Sequence, residues 1–312
     1  MINNIINILL LCVFFAACKN ETQVAKTPAA IKTPPTSQVI PAAKPAIQPV
    51  VKMDTVSVST VEEIVENAKS NSVLVLQKGT YTLEKDLVYY MAKDERKIID
   101  KKVVETRSIG GQLFFSGLTN FQINGKNGVE IVSKNPEAVP FFVIRGKNMK
   151  FSNLTIKKNI EGKADLCYIT NSQEIEIDRF NIGGGGTYGM YISNVDNLMV
   201  SNSKISKSKT GIIRINQSRG IQFINSTFTN NVCTVPLINL YSSGSSVSFN
   251  NVTIIDNKKD PKSSFQNSDR LFAVNGNSIR LENCTIQNNK GYTSLGINQN
   301  FISRSQIEGV NY

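Results

Sequence analysis

The sequence predicts an all-β solenoid of stacked parallel coils, and three observations carry that prediction. Apolar-x-apolar pairs recur at Phe121/Ile123, Met149/Phe151, Ile175/Ile177, Leu198/Val200, Ile221/Phe223, Val247/Phe249 and Ile279/Leu281, in steps of 28, 26, 23, 23, 26 and 32 residues. Two residues after each pair from the second onward stand Asn153, Arg179, Asn202, Asn225, Asn251 and Asn283. Asn accepts the left-handed backbone that branched residues avoid, so a turn is implied there, and its amide can pair with the Asn one coil away. Composition agrees: of 312 residues 40% are hydrophobic, only 8% aromatic and none Trp, enough for a real core but unlike a helical enzyme.

Each turn is followed by a second strand with inward pairs Leu154/Ile156, Phe180/Ile182, Ser203/Ile205, Ser226/Phe228, Val252/Ile254 and Cys284/Ile286. A third strand precedes each unit, with inward pairs Phe142/Ile144, Cys167/Ile169, Met190/Ile192, Ile213/Ile215, Ile238/Leu240, Phe272/Val274 and Leu295/Ile297. Three alternating strands per rung of roughly 23 residues describe coils stacked about 4.8 Å apart.

In chain order, Ile5 to Ala17 is a run of 13 residues, apolar but for Asn7, too short to span a membrane and suited to the core of a secretory signal. It ends in Phe15-Ala16-Ala17-Cys18, which resembles the lipobox of bacterial lipoproteins, although residues 1–17 lack the usual Lys or Arg. The resemblance implies a signal peptide over 1–17 and acylation of Cys18. From Glu21 to Lys52 six of the ten prolines fall in an Ala, Thr, Val and Lys mixture that cannot form a core, so residues 18–52 read as an extended tether and 53–312 as the folded domain. Lys19-Asn20-Glu21 is similar to the sorting signal of some surface lipoproteins. The expected address is the cell envelope, in the outer membrane, with attachment through the lipid.

Thr60-Val61-Glu62-Glu63-Ile64 has the spacing of a capping box and predicts a short helix closing the open solenoid end. Val73 to Leu76 and Gly79-Thr80-Tyr81 follow as an opening strand and turn. Glu84 to Arg107 then carries seven basic and six acidic side chains and reads as a solvated excursion. From about residue 60 to 312 the chain resembles the right-handed parallel β-helix proteins of the pectin-lyase-like superfamily, which implies the handedness. It does not fix a function, because that superfamily includes lyases, hydrolases, epimerases, adhesins and binding modules.

The absence of His removes Ser-His-Asp and Cys-His catalysis and His-ligated metals. Net charge is +11, which admits acidic polysaccharide or anionic lipid, while no dense basic block or aromatic motif supports nucleic acid. Cys167 and Cys284 point inward and lie four coils apart, beyond disulfide reach, so buried thiols are expected; Cys233 is undecided. The Asn-x-Thr matches at 153, 225, 251 and 283 are explained by the repeated turn. Gly183 to Gly186 lacks the Lys-Ser/Thr ending of a phosphate loop and reads as a flexible loop.

Enzymes that the resemblance brings in work on the outer face of the third strand. There the outward positions are Val143, Tyr168, Tyr191, Arg214, Asn239, Ala273 and Gly296, with Arg145, Thr170, Ser193, Asn216, Tyr241, Asn275 and Asn298 next out. Tyr168, Tyr191, Arg214, Asn216, Asn239 and Tyr241 form a candidate glycan ladder: rings for pyranose faces, amides for hydroxyls, guanidinium for carboxylate or sulfate. An exposed strand face that tolerates Tyr and Asn would look the same.

No Asp-Asp pair supports a hydrolase of this superfamily, and neither a carboxylate cluster for calcium nor the Arg-x-Pro-x-x-Arg motif of its pectate lyases is present. No cofactor or metal is expected. Binding of a glycan, an acidic polysaccharide or envelope glycan among them, or of another envelope polymer on that outer strand face is the leading function. A metal-independent uronate lyase using Arg214 or Lys209 with Tyr191, and a structural or adhesive solenoid, remain open, as does the oligomeric state.

Overall fold

The computed structural model describes residues 52–100, 110–265 and 268–311. Within Val50–Tyr312 the strands pair in parallel from one coil to the next, and the chain forms three strand rows. The row before the Asn turn includes Thr119–Gly125, Lys147–Ser152, Arg219–Ile224, Ser246–Asn250 and Ser278–Glu282. The row after it is a nine-stranded sheet running from Gly79–Leu83 to Gln306–Ile307. The third row includes Gln112–Ser116, Phe141–Ile144, Gly211–Asn216 and Ile238–Leu240. Two long strands, Cys167–Asp178 and Tyr188–Ser201, run through both the third row and the first, fusing them into one sheet.

Alternation places the core. Every inward pair expected of the first two rows is buried, from Phe121/Ile123 to Cys284/Ile286. All six turn residues have left-handed φ, Arg179 included, at +49° to +57°. Amide pairing between successive turns is partial: Asn251 Nδ2 donates to Asn225 Oδ1 at 2.8 Å, whereas Asn202 donates to Asp178. A second amide column lies inside, where Asn231 Nδ2 donates to Asn257 Oδ1 at 2.8 Å and Asn257 Nδ2 to Asn289 Oδ1 at 2.9 Å. The helix Val61–Asn67 closes the N-terminal end: Thr60 Oγ1 accepts from Glu63 N–H, Ser59 N–H donates to the Glu63 carboxylate, and Val61, Ile64 and Val65 enter the core.

Three expectations are corrected. The charged segment is not wholly an excursion: Leu87–Ala92 is a third-row strand on Gln112–Ser116, with Tyr89 and Met91 buried, and Arg96–Asp100 folds back on it antiparallel. Residues 101–109 lie outside the described residues. In the third row, Phe141 and Val143 point inward and Phe142 and Ile144 outward, one residue from the expected register, because Phe141 pairs with Cys167. Val274 lies beyond the strand Phe272–Ala273, next to the left-handed Asn275, and is only half-buried. Cys233 is resolved as a buried thiol on the short strand Val232–Cys233. The signal, Cys18 and nearly all of the tether fall outside the described residues.

Candidate functional site

Strand register stacks Tyr90, Phe114, Phe142, Tyr168, Tyr191, Arg214, Asn239 and Ala273 in one outward column, one residue per coil. Parallel strands hold equivalent side chains at the coil spacing, close to the thickness of stacked rings. Ring centroids accordingly lie 5.3 Å apart at Tyr90/Phe114, 4.8 Å at Phe114/Phe142 and 4.6 Å at Phe142/Tyr168, with interplanar angles of 20°, 10° and 26°. These rings use their faces on one another and offer mainly edges outward, so the expectation of pyranose-stacking platforms does not hold for this part of the column. At Tyr168/Tyr191 the centroids remain 4.6 Å apart but the planes open to 58°.

Arg214 follows where the ring stack stops. Its guanidinium carbon lies 4.8 Å from the Tyr191 ring centre and 4.2 Å from that of Tyr241, so one aromatic ring packs on each side of the ion. Arg214 Nε is buried without a hydrogen-bond partner. Packing on both sides fixes the plane of the guanidinium, and its N–H groups lie in that plane, where a carboxylate or sulfate can take two of them together.

The column forms one wall of an open cleft of about 580 Å³. Phe142, Tyr168, Tyr191 and Arg214 line it on the strand side; Lys163, Asp165, Thr187 and Thr210 line the loop side, and Tyr188 is also part of the lining. Asp165 accepts from Tyr188 N–H at 3.1 Å and from the Thr187 hydroxyl, which ties the loop to the next coil. Burial pushes the Tyr188 hydroxyl well above the ordinary phenol range; the neighbouring Tyr241 adds to this and Arg214 opposes it. Burial likewise raises Tyr168.

The sequence-predicted ladder is therefore brought together in part. Tyr168, Tyr191 and Arg214 share the cleft, and Tyr241, 48% exposed, covers the far side of Arg214. Asn239 is only 6% exposed and turns back to donate to Pro236 O at 2.6 Å, so its amide donor is committed to the backbone. Asn216 is in the adjacent column and donates to Ser193 Oγ at 3.3 Å. Lys209, the alternative catalytic base, is ion-paired with Glu161 and lines a different cleft. Among the described residues no group of three His, Cys, Asp or Glu side chains could hold a metal ion.

Sequence reasoning missed Lys158. It is 5% exposed, and its ammonium donates to Pro136 O at 3.1 Å and Ala164 O at 2.8 Å, fastening the cleft loop from beneath. Burial lowers its pKa to about 8, with Asp165 and Glu137 opposing. The signal was present in the alternation Leu154, Ile156, Lys158, which continues inward.

A family model for the right-handed β-helix region matches residues 140–311, more than half of the chain. This chain belongs to the right-handed β-helix family. Its three-row solenoid is also similar to solved structures. A pectate lyase aligns over 83% of this β-helix and 82% of that chain at 12% identity, with a TM-score of 0.54. An alginate lyase from Paenibacillus sp. str. FPU-7 aligns over 74% of this chain and 76% of that one, also at 12% identity, with a TM-score of 0.45. Identity at this level shows the fold alone. No curated protein matches the sequence.

Proposed function

We propose that this right-handed β-helix is held at a bacterial cell envelope through an acylated Cys18 and binds an acidic glycan in the Arg214 cleft. The observation that carries the binding reading is the state of Arg214: a cation fixed between two rings at 4.8 and 4.2 Å, with Nε buried and unpaired. Held in this way the guanidinium keeps one plane, and its terminal N–H groups can meet a ligand carboxylate or sulfate as a pair. The excess of Lys and Arg, 35 against 24 acids, adds long-range attraction for an anionic polymer. The solved neighbour of like fold is a pectate lyase, which agrees with a polysaccharide ligand without fixing it.

The test is a glycan array followed by titration of the best acidic hit. Arg214→Ala is expected to weaken binding by about 1.5 to 3 kcal/mol, the range for a hydrogen bond to a charged group, without altering thermal unfolding. Wild-type affinity should fall with salt. Unchanged affinity in Arg214→Ala overturns the reading.

A lyase is the second reading, favoured by Tyr191 sharing the cleft with Arg214. Arg214 would neutralise a uronate carboxylate while the Tyr191 hydroxyl oxygen takes the proton alpha to it. The carbon–oxygen bond at the β carbon then breaks, a carbon–carbon double bond forms, and the leaving oxygen takes the proton that the Tyr191 hydroxyl carried, which leaves Tyr191 as it began. Growth of the ultraviolet absorbance of an unsaturated uronate marks this reaction; binding without that growth excludes it.

A further inference from the structure

A second cleft lies beside the first, and the two are separated by one short loop. It has a volume of about 390 Å³ and is lined by Gly184 and Gly185 from the four-glycine run, by Lys207 and Lys209, and by Asn159 and Glu161. Glu161 faces this cleft while Lys163, Ala164 and Asp165 face the Arg214 cleft, so residues 161–165 are the divide. On the next coils the same division falls between Gly185 and Thr187, and between Lys209 and Thr210.

The glycines are required here, so the run is not merely a flexible loop. Gly184 has φ +103°, and a Cβ there would meet the Lys158 carbonyl oxygen at 3.1 Å. The chain is thus pressed against the strand below and leaves open the space that side chains would fill. The cleft's cations are not all committed. Lys209 is ion-paired with Glu161, whose side chain is 76% exposed, whereas Lys207 makes no ion pair among the described residues. An exposed pair of this kind is weak and readily exchanged, so a ligand anion can replace Glu161 on Lys209.

We propose that this cleft is a second anionic subsite for the same glycan, with Lys207 and Lys209 taking an acidic group further along the polymer. The proposal rests on the Arg214 reading and adds a direction to it: the ligand crosses the solenoid within one coil, from Arg214 past Thr210 to Lys209 and Lys207. It does not climb the aromatic column, whose ring faces are already occupied. Lys207 and Arg214 are seven residues apart, so the track is at most about 23 Å long, a span that a hexasaccharide covers.

The test titrates digalacturonate and hexagalacturonate into the full chain as wild type, Arg214→Ala and Lys207→Asn. Asn removes the charge while tolerating the left-handed φ of +61° at position 207. Lys207→Asn is expected to lower hexamer affinity about tenfold and reduce its salt dependence, with the dimer unaffected. Arg214→Ala should weaken both. If Lys207→Asn leaves the hexamer unchanged while Arg214→Ala weakens it, the second subsite is overturned and the Arg214 reading stands. If neither oligomer responds to Arg214→Ala, that reading fails and the inference with it.

Discussion

Replacing Lys158 by Met tests whether a buried ammonium fastens the cleft loop. The side chain is 5% exposed and its pKa falls from 10.5 to about 8 through burial. Between these two values the unfolded chain holds a proton that the folded chain has released. Wild-type stability therefore carries the full burial penalty below pH 8 and sheds it as pH rises toward 10.5. Each pKa unit is worth about 1.36 kcal/mol, so the penalty is about 3 kcal/mol. Met has similar length and no charge, but it leaves the Pro136 and Ala164 carbonyls without their donor, at a cost of about 1 to 3 kcal/mol. The two terms nearly cancel at pH 7, and the variants are expected to unfold at similar urea concentrations there. At pH 10.5 the wild type should gain about 3 kcal/mol over Lys158→Met. The remaining lysines and tyrosines titrate in both proteins and drop out of the difference. Urea titrations at the two pH values supply the measurement; a difference that does not change with pH refutes the burial argument.

Two further outcomes follow from the same structure. Asn257→Ala removes the middle of the buried amide column, which accepts from Asn231 N–H and donates to Phe228 O; a loss of about 2 to 4 kcal/mol is expected in urea unfolding, and a loss under 1 kcal/mol contradicts the column's role. Cys18→Ala should abolish fatty-acid labelling in cells, and a labelled variant defeats the proposed anchor.

The rows were legible because a half-buried strand alternates and because a left-handed turn selects Asn, and these signals fixed two of the three faces residue by residue. The third face was harder for a local reason. Phe141-Phe142-Val143-Ile144 is apolar at every position, so alternation is silent, and only pairing with Cys167 decides which two enter the core. Leu87–Ala92 was hidden by the charges on either side, although the strand itself carries none. Asn239 occupies an outward position by register, yet its amide satisfies a backbone carbonyl three residues earlier, a choice no spacing reveals. Tyr241 stood in the candidate ladder, but its packing on Arg214, from the following coil and a different column, is visible only in the folded chain.

Stacking explains why the candidate site falls where it does. A parallel solenoid repeats the same neighbour at every coil, so like rings satisfy one another and leave little for a ligand, as from Tyr90 to Tyr168. Unsatisfied chemistry arises where the repeat is broken. Tilt at Tyr191, replacement of the next ring by Arg214 and replacement of the one after by the inward-turned Asn239 leave a cation that Tyr241 reaches from the far side. The loop of residues 161–165, fastened by Lys158 and Asp165, stands against that same break and gives the cleft its second wall. Restoring the repeat should therefore remove the cation while keeping the fold: Arg214→Phe continues the ring stack across the gap, and it is expected to retain the wild-type unfolding temperature and weaken acidic-glycan binding by as much as Arg214→Ala. Glycan affinity surviving in Arg214→Phe would mean that the stack break is incidental and that recognition lies elsewhere on the solenoid.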